Sequence, residues 1–120
     1  MNIKNINWIS ESAAEAIITI IDNKNFSLNC FCQPCKYKIN DKIDCLYIFE
    51  AKNIKKFNIK EYIIKKNDNN LGYYLVGQII NLEKKMIKIN NFMLELDNEI
   101  PSDIKLGEFI EFTCLRIDIY

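Results

Sequence analysis

The second half of this 120-residue chain echoes the first. Glu15 to Phe49 and Val76 to Ile119 both read as strand, tight turn, strand, irregular loop, and then a short Lys-x-polar-acidic step into a last strand. In the first copy the step is Lys38-Ile39-Asn40-Asp41-Lys42-Ile43, and in the second it is Lys105-Leu106-Gly107-Glu108-Phe109. A repeated set of short strands must bury one face of each copy against the other, which predicts a small β-barrel or barrel-like sandwich. The echo specifies scaffold and no chemistry. Function is therefore expected where the copies differ: cysteines and Pro34 in the first loop, carboxylates and Pro101 in the second, and the connector between them.

Along the chain, Ala13 to Asp22 is rich in β-branched residues and stops at Asp22-Asn23-Lys24-Asn25, a turn cluster. Phe26, Leu28, Cys30 and Cys32 then alternate with Ser27, Asn29 and Phe31, the period of a half-buried strand. Gln33-Pro34 ends it, because proline cannot donate to a ladder. Cys45 to Phe49 resumes as a strand. Residues 51–70 follow neither a helical nor a strand spacing, and a short helix between Asn58 and Lys66 is the expectation. From Tyr73 a strand runs to Leu82, with turns at Glu83-Lys84-Lys85 and at Asn90-Asn91. In the last strand Ile110 and Phe112 share one parity, while Leu115, Ile117 and Ile119 share the other. One extra residue near Thr113 and Cys114, a β-bulge, accounts for that shift.

These readings predict an all-β chain: one OB-like or SH3-like barrel domain over 1–120, of six or seven mostly antiparallel strands. Its two similar halves, about 13–50 and 73–120, are joined by a connector at 51–70. The expected core is Ile18, Ile20, Phe26, Leu28, Cys30, Ile43, Val76, Ile80, Ile87, Ile89, Phe92, Leu94, Leu96, Phe112, Leu115 and Ile117. A chain of this length buries about two thirds of its unfolded surface, so size alone calls for no metal, cofactor or disulfide staple.

Asn, Ile and Lys make up 54 residues, and 15 Lys stand against the single Arg116, a skew that matches the codon bias of an AT-rich, bacterial genome. Lysine clusters are correspondingly weak signals. The 16 basic and 16 acidic residues cancel, so no global field attracts nucleic acid or an anionic membrane. Locally, the connector holds Lys52, Lys55, Lys56, Lys60, Lys65 and Lys66 against two carboxylates, whereas Glu95, Asp97, Glu99 and Asp103 make the later loop acidic. The two patches are expected as solvated surface on opposite sides of the barrel. Met1 to Trp8 lacks the apolar core of a signal peptide, and Ala16 to Ile21 is too short to span a bilayer, which predicts a cytoplasmic protein with free thiols.

Cys32-Gln33-Pro34-Cys35-Lys36 resembles the Cys-Gly-Pro-Cys-Lys active site of thioredoxins over five residues. That resemblance implies a helix after the motif to lower the first thiol's pKa, and Tyr37 to Lys42 has a turn signal there instead. Cys30, Cys32, Cys35 and Cys45 suggest a zinc site. Sulfurs on one tetrahedral zinc sit roughly 3.8 Å apart, while alternate residues of a strand stand about 6.6 Å apart. The ordinary reading is small apolar filler at Cys30, Cys32, Cys45 and Cys114, with Cys35 in a loop.

No histidine exists anywhere in the chain, which removes the commonest general base and metal ligand. Only Gly72, Gly77 and Gly107 occur, so there is no Gly-rich phosphate loop. Glu95 and Asp97 are expected on one strand face, where exposed carboxylates are ordinarily solvated. Enzyme is thus the disfavoured class. The leading expectation is a non-catalytic module for a protein partner, of immunity or adaptor type, with the basic connector or the acidic loop as its recognition surface. The alternative is an OB-type single-strand binder using Tyr37, Tyr62 and the pair Tyr73 and Tyr74 as stacking platforms beside lysines. Exposed edge strands also make a homodimer an expectation.

Overall fold

Alternating apolar residues become extended chain throughout the computed structural model, which describes residues 1–120 and contains eleven strands and no helix. They are β1 (Asn2–Ser10), β2 (Glu15–Ile21), β3 (Ser27–Cys32), β4 (Leu46–Phe49), β5 (Lys52–Phe57), β6 (Ile63–Lys66), β7 (Tyr73–Asn81), β8 (Met86–Ile89), β9 (Phe92–Glu95), β10 (Phe109–Cys114) and β11 (Arg116–Ile119). All join one sheet, in the order β1-β2-β3-β11-β4-β9-β8-β7-β10-β5, with β6 beside β7. The β3–β11 and β4–β9 pairs are parallel, and the others are antiparallel.

The architecture is all-β but is not the expected barrel of six or seven mostly antiparallel strands. It is a mixed, non-closed sheet of eleven. Three features account for the difference. β1 precedes the first expected strand, the connector forms β5 and β6, of which β6 lies in the stretch 58–66 where a short helix was expected, and the last strand is bent into β10 and β11. β10 and β11 meet at Leu115, whose N–H donates to the Phe49 carbonyl at 3.0 Å. β4 and β5 meet at Glu50, which takes a φ of 55°. The bent segment 109–119 runs antiparallel to the bent segment 46–57, from Phe109 opposite Phe57 to Asp118 opposite Tyr47.

Twenty-six buried residues form one core. Of the expected members, Phe26 is 47% exposed and Leu115 49% exposed, and Ile80 is only half-buried. Leu115 is the extra residue of the last strand: inward parity runs Ile110, Phe112, Cys114, then Ile117, Ile119. Ile80 is an extra residue too, because the β7–β8 register slips between Ile79 and Asn81 and Ile79 takes the core position. Phe26 has the parity of β3 but lies in the preceding turn. Val76 is fully buried yet outside the core cluster, on the other face of β7. Gly77 leaves no room for a side chain against β8, since a Cβ there would meet the Ile89 side chain at 2.6 Å and the Lys88 carbonyl at 2.8 Å.

Local structure recurs, beginning at β1 and β7. The turns that follow these strands place Ala14 at φ 53° and Lys85 at φ 54°. In each, the side chain ending the strand (Ser10 or Asn81) accepts an N–H three residues on, from Ala13 or Lys84. The Lys-x-polar-acidic steps also match. Lys38 N–H donates to the Asp41 carboxylate at 2.8 Å, and Lys105 N–H donates to the Glu108 carboxylate at 2.7 Å. Asn40 and Gly107, at φ 75° and 86°, donate to the Ile3 and Ile79 carbonyls at 2.8 and 2.9 Å. Ile3 and Ile79 in return donate to the carbonyls of Asp41 and Glu108.

Candidate functional site

The largest concavity is a groove of about 370 Å³ where the end of β5 and the chain after it face the second step. Antiparallel pairing sets Phe57 opposite Phe109, so two aromatic side chains stand together on the groove side of adjacent strands. Gly107 turns the backbone through positive φ and throws Leu106 outward, where it is 62% exposed. Tyr62 approaches from the β5–β6 loop with its ring 5.5 Å from that of Phe109 and tilted by 42°. Phe57 and Phe109 thus make an apolar floor, Leu106 a wall, and Lys56 and Lys60 the rim.

Ion pairing decides how much of the connector's charge is left. Glu108 splits its carboxylate: Oε1 holds the step, and Oε2 pairs with Lys56 Nζ at 2.5 Å. The hydrogen bond to Glu108 raises the Lys56 pKa, and the same contact lowers that of Glu108. Lys55 pairs with Glu111 at 3.8 Å and Lys52 with Glu50 at 4.0 Å. Lys66 donates to the carbonyls of Asn67 and Asn70, closing the turn between β6 and β7, and lies 6.0 Å from the Tyr73 ring. Lys60 and Lys65 have no carboxylate within 4.0 Å.

No protein-family model, curated protein or solved structure matches this chain.

The acidic loop docks against the start of the basic connector and does not lie across the molecule from it, a correction to the expected layout. Asp97 accepts N–H bonds from Glu50 at 2.6 Å and Ala51 at 3.1 Å, and the Asn98 amide donates to the Ala51 carbonyl. These bonds satisfy the backbone groups freed at the β4–β5 bend, so Asp97 is structural. Glu99, almost fully exposed, stands 4.0 Å from Lys85. Asp103 is close enough to add to the upward shift of Lys56. Glu95 ends β9 opposite Met86, while Asp97 lies beyond the strand, so the two do not form a carboxylate pair.

Tyr37 belongs to a different pocket. Its hydroxyl donates to the Tyr120 carbonyl, and the Tyr120 ring packs 4.9 Å from that of Tyr47. Tyr73 is a core residue whose hydroxyl accepts the Asn29 N–H at 2.8 Å, tying β7 to β3.

The thiols are free, with Cys30, Cys32, Cys35 and Cys114 buried and Cys45 half-buried. Burial is the largest cause pushing Cys32 up to about 12, with the neighbouring Cys35 thiol adding to it, and burial does the same to Cys114. A thioredoxin-like nucleophile requires the opposite shift. No three Cys, Asp or Glu side chains converge as ligands for a metal ion. No helix is long and apolar enough to cross a membrane.

Sequence reading singled out Lys56, Lys60 and Tyr62 but missed Phe57, Leu106, Glu108 and Phe109, which build the groove around them. It also passed over Arg116. That side chain lies between the rings of Phe31 and Phe49, at 4.7 and 4.2 Å, and pairs with buried Asp118 at 2.7 Å. The Arg-x-Asp spacing on one strand was the available signal, because residues two apart share a face.

Proposed function

We propose that this protein is a non-catalytic interaction module whose groove at Phe57, Leu106 and Phe109 receives a segment of a protein partner, as an immunity-type or adaptor protein would. The observation that carries this reading is the half-neutralised rim of the groove: Lys56 is already paired with Glu108, so the apolar floor is left with one unpaired cation, Lys60. A phosphate backbone needs many free cations, whereas a peptide segment with an apolar anchor beside one carboxylate fits this arrangement. The partner class is thus a chain presenting a large apolar side chain next to Asp or Glu.

A second reading, single-strand binding of the OB type, draws support from Lys65, which sits opposite Tyr74 across the β6–β7 ladder. The two readings separate in one experiment, capture from native lysate at low salt with and without nuclease. A protein that survives nuclease, and is lost with Leu106→Asp, supports the groove. Loss of all captured material on nuclease treatment overturns it in favour of nucleic acid. Burying a leucine contributes about 1.5 to 3 kcal/mol, so that substitution should weaken partner binding by roughly tenfold or more.

A further inference from the structure

The sheet has a long free edge that the groove does not use. Among the strands β1 pairs only with β2, and its other side is occupied only at its start, where Asn40 and Asp41 hold Ile3 and Lys42 bridges Asn2. From Lys4 to Ser10 nothing pairs with that side. Exposed edges are ordinarily blunted by charge, bulges or brevity. β5 is blunted in this way, with three lysines and a bulge at Asn53, which takes a φ of 57°, and β6 is four residues long and ends in two lysines. β1 is different. Asn5 to Ser10 carries no charge and exposes Trp8 at 41% and Ile9 at 55%.

We infer that the β1 edge pairs antiparallel with the β1 edge of a second copy of this chain, about a two-fold axis at Asn7. Register follows from geometry. Directly opposite residues share a face, so a two-fold pairing of one strand with itself joins positions whose numbers sum to an even value. The regular run between the irregularities at Lys4 and Ile9 is Asn5 to Trp8, in which Ile6 and Trp8 lie opposite Ile18 and Ala16 on the core face. Centring on Asn7 sets Ile6 against Trp8 of the second copy, twice, and extends the apolar face across the junction. It also brings Lys4 beside Ser10 and Glu11 of the second copy, twice. Neither Lys4 nor Glu11 has an ion-pair partner within its own chain. Centring on Trp8 would instead set Ile6 against Ser10 of the second copy and break the apolar face at both ends.

A pairing of this length is small for a specific interface, so the dimer should form at roughly micromolar concentrations and not far below. Sedimentation equilibrium of the full chain up to about 500 µM tests it. Lys4→Glu or Glu11→Lys alone should weaken the dimer about fivefold, and Lys4→Glu combined with Glu11→Lys should restore it. Asn7→Cys should yield a covalent dimer on mild oxidation, because opposed Cα atoms of an antiparallel pair, about 4.5 to 5.5 Å apart, fall within disulfide reach. Unchanged near-UV circular dichroism confirms that each variant is folded. A monomer at every concentration overturns the inference. So does a dimer that ignores the charge exchange and forms no Asn7→Cys crosslink.

Discussion

Lys38–Asp41 and Lys105–Glu108 are held by the same four backbone-directed hydrogen bonds, yet only the second belongs to the groove. The difference is one methylene. Asp41 accepts from Lys38 and forms no ion pair, whereas the longer Glu108 accepts from Lys105 with one oxygen and reaches Lys56 of β5 with the other. A repeated turn thus becomes a link between the step and the connector when its acid is long enough to serve both. The first step also uses Asn40 where the second uses Gly107, at nearly the same positive φ. Scaffold can be repeated with different residues, and what each copy carries depends on which side chains reach beyond the turn.

The comparison is broken most forcefully at the two isoleucines the steps hold. Ile3 and Ile79 are both about 1% exposed, so truncation of either to alanine should cost about 2 to 5 kcal/mol. Ile79 lies in β7, which pairs with β6, β8 and β10, whereas Ile3 lies in an edge strand. An edge can relax around a cavity more readily, so urea midpoints should place Ile79→Ala lower than Ile3→Ala. Equal midpoints would mean that the two strands are equally confined.

Next in size is backbone strain. Gly107 sits at φ 86° with no atom within 4 Å of a built Cβ, so Gly107→Ala meets no clash and should cost about 1 to 2 kcal/mol through the left-handed conformation alone. Asn40→Gly should be near neutral, because relief of strain offsets a more flexible unfolded chain. Urea melts of the pair measure both. A clear gain from Asn40→Gly would show that the first step is the more strained.

What could be read from the sequence was local. The β2–β3 turn was legible because Asp22 and Asn25 have a mechanism there: Asp22 accepts the N–H groups of Lys24 and Phe26, and Asn25 takes a φ of 66°. The parity shift in the last strand was also visible and falls at Leu115. β1 was not, because irregularities at Lys4 and Ile9 break its alternation twice. The connector hid its strands in the same way, with a bulge at Asn53. Parallel pairing of β3 with β11 and of β4 with β9 joins segments far apart in the chain and leaves no local signature. For the groove, the lysines were evident but their neutralisation was not, since Lys56 and Glu108 are 52 positions apart.

A smaller effect separates the two acids by pH. The Lys56 hydrogen bond lowers the Glu108 pKa on folding, so the stability this pair contributes is present above the ordinary carboxylate range. It is lost as pH falls through the folded value. The raised Lys56 pKa has the reverse sign: its contribution is present below the ordinary lysine range and is lost as pH rises through the folded value. Glu108→Gln should therefore lower the urea midpoint at neutral pH, with the gap from the unsubstituted protein closing on acidification. Lys56 is exposed and Glu108 half-buried, so the pair is open to solvent and the effect should shrink with added salt. A gap that persists in acid would assign Glu108 a role through its hydrogen bond alone.

The smallest stability effect should accompany the largest functional one. Ile39 and Leu106 occupy the same place in their steps and are 56% and 62% exposed, so aspartate at either should change stability by no more than about 0.5 kcal/mol. Their neighbours differ. Leu106 stands over Phe57 and Phe109 beside Lys60, while Ile39 lines no such groove. If the groove receives the partner, Leu106→Asp abolishes capture and Ile39→Asp leaves it intact, with identical thermal melts. Loss of capture by both variants would move recognition from the groove to the step itself, and the methylene that separates Glu108 from Asp41 would then have no part in it.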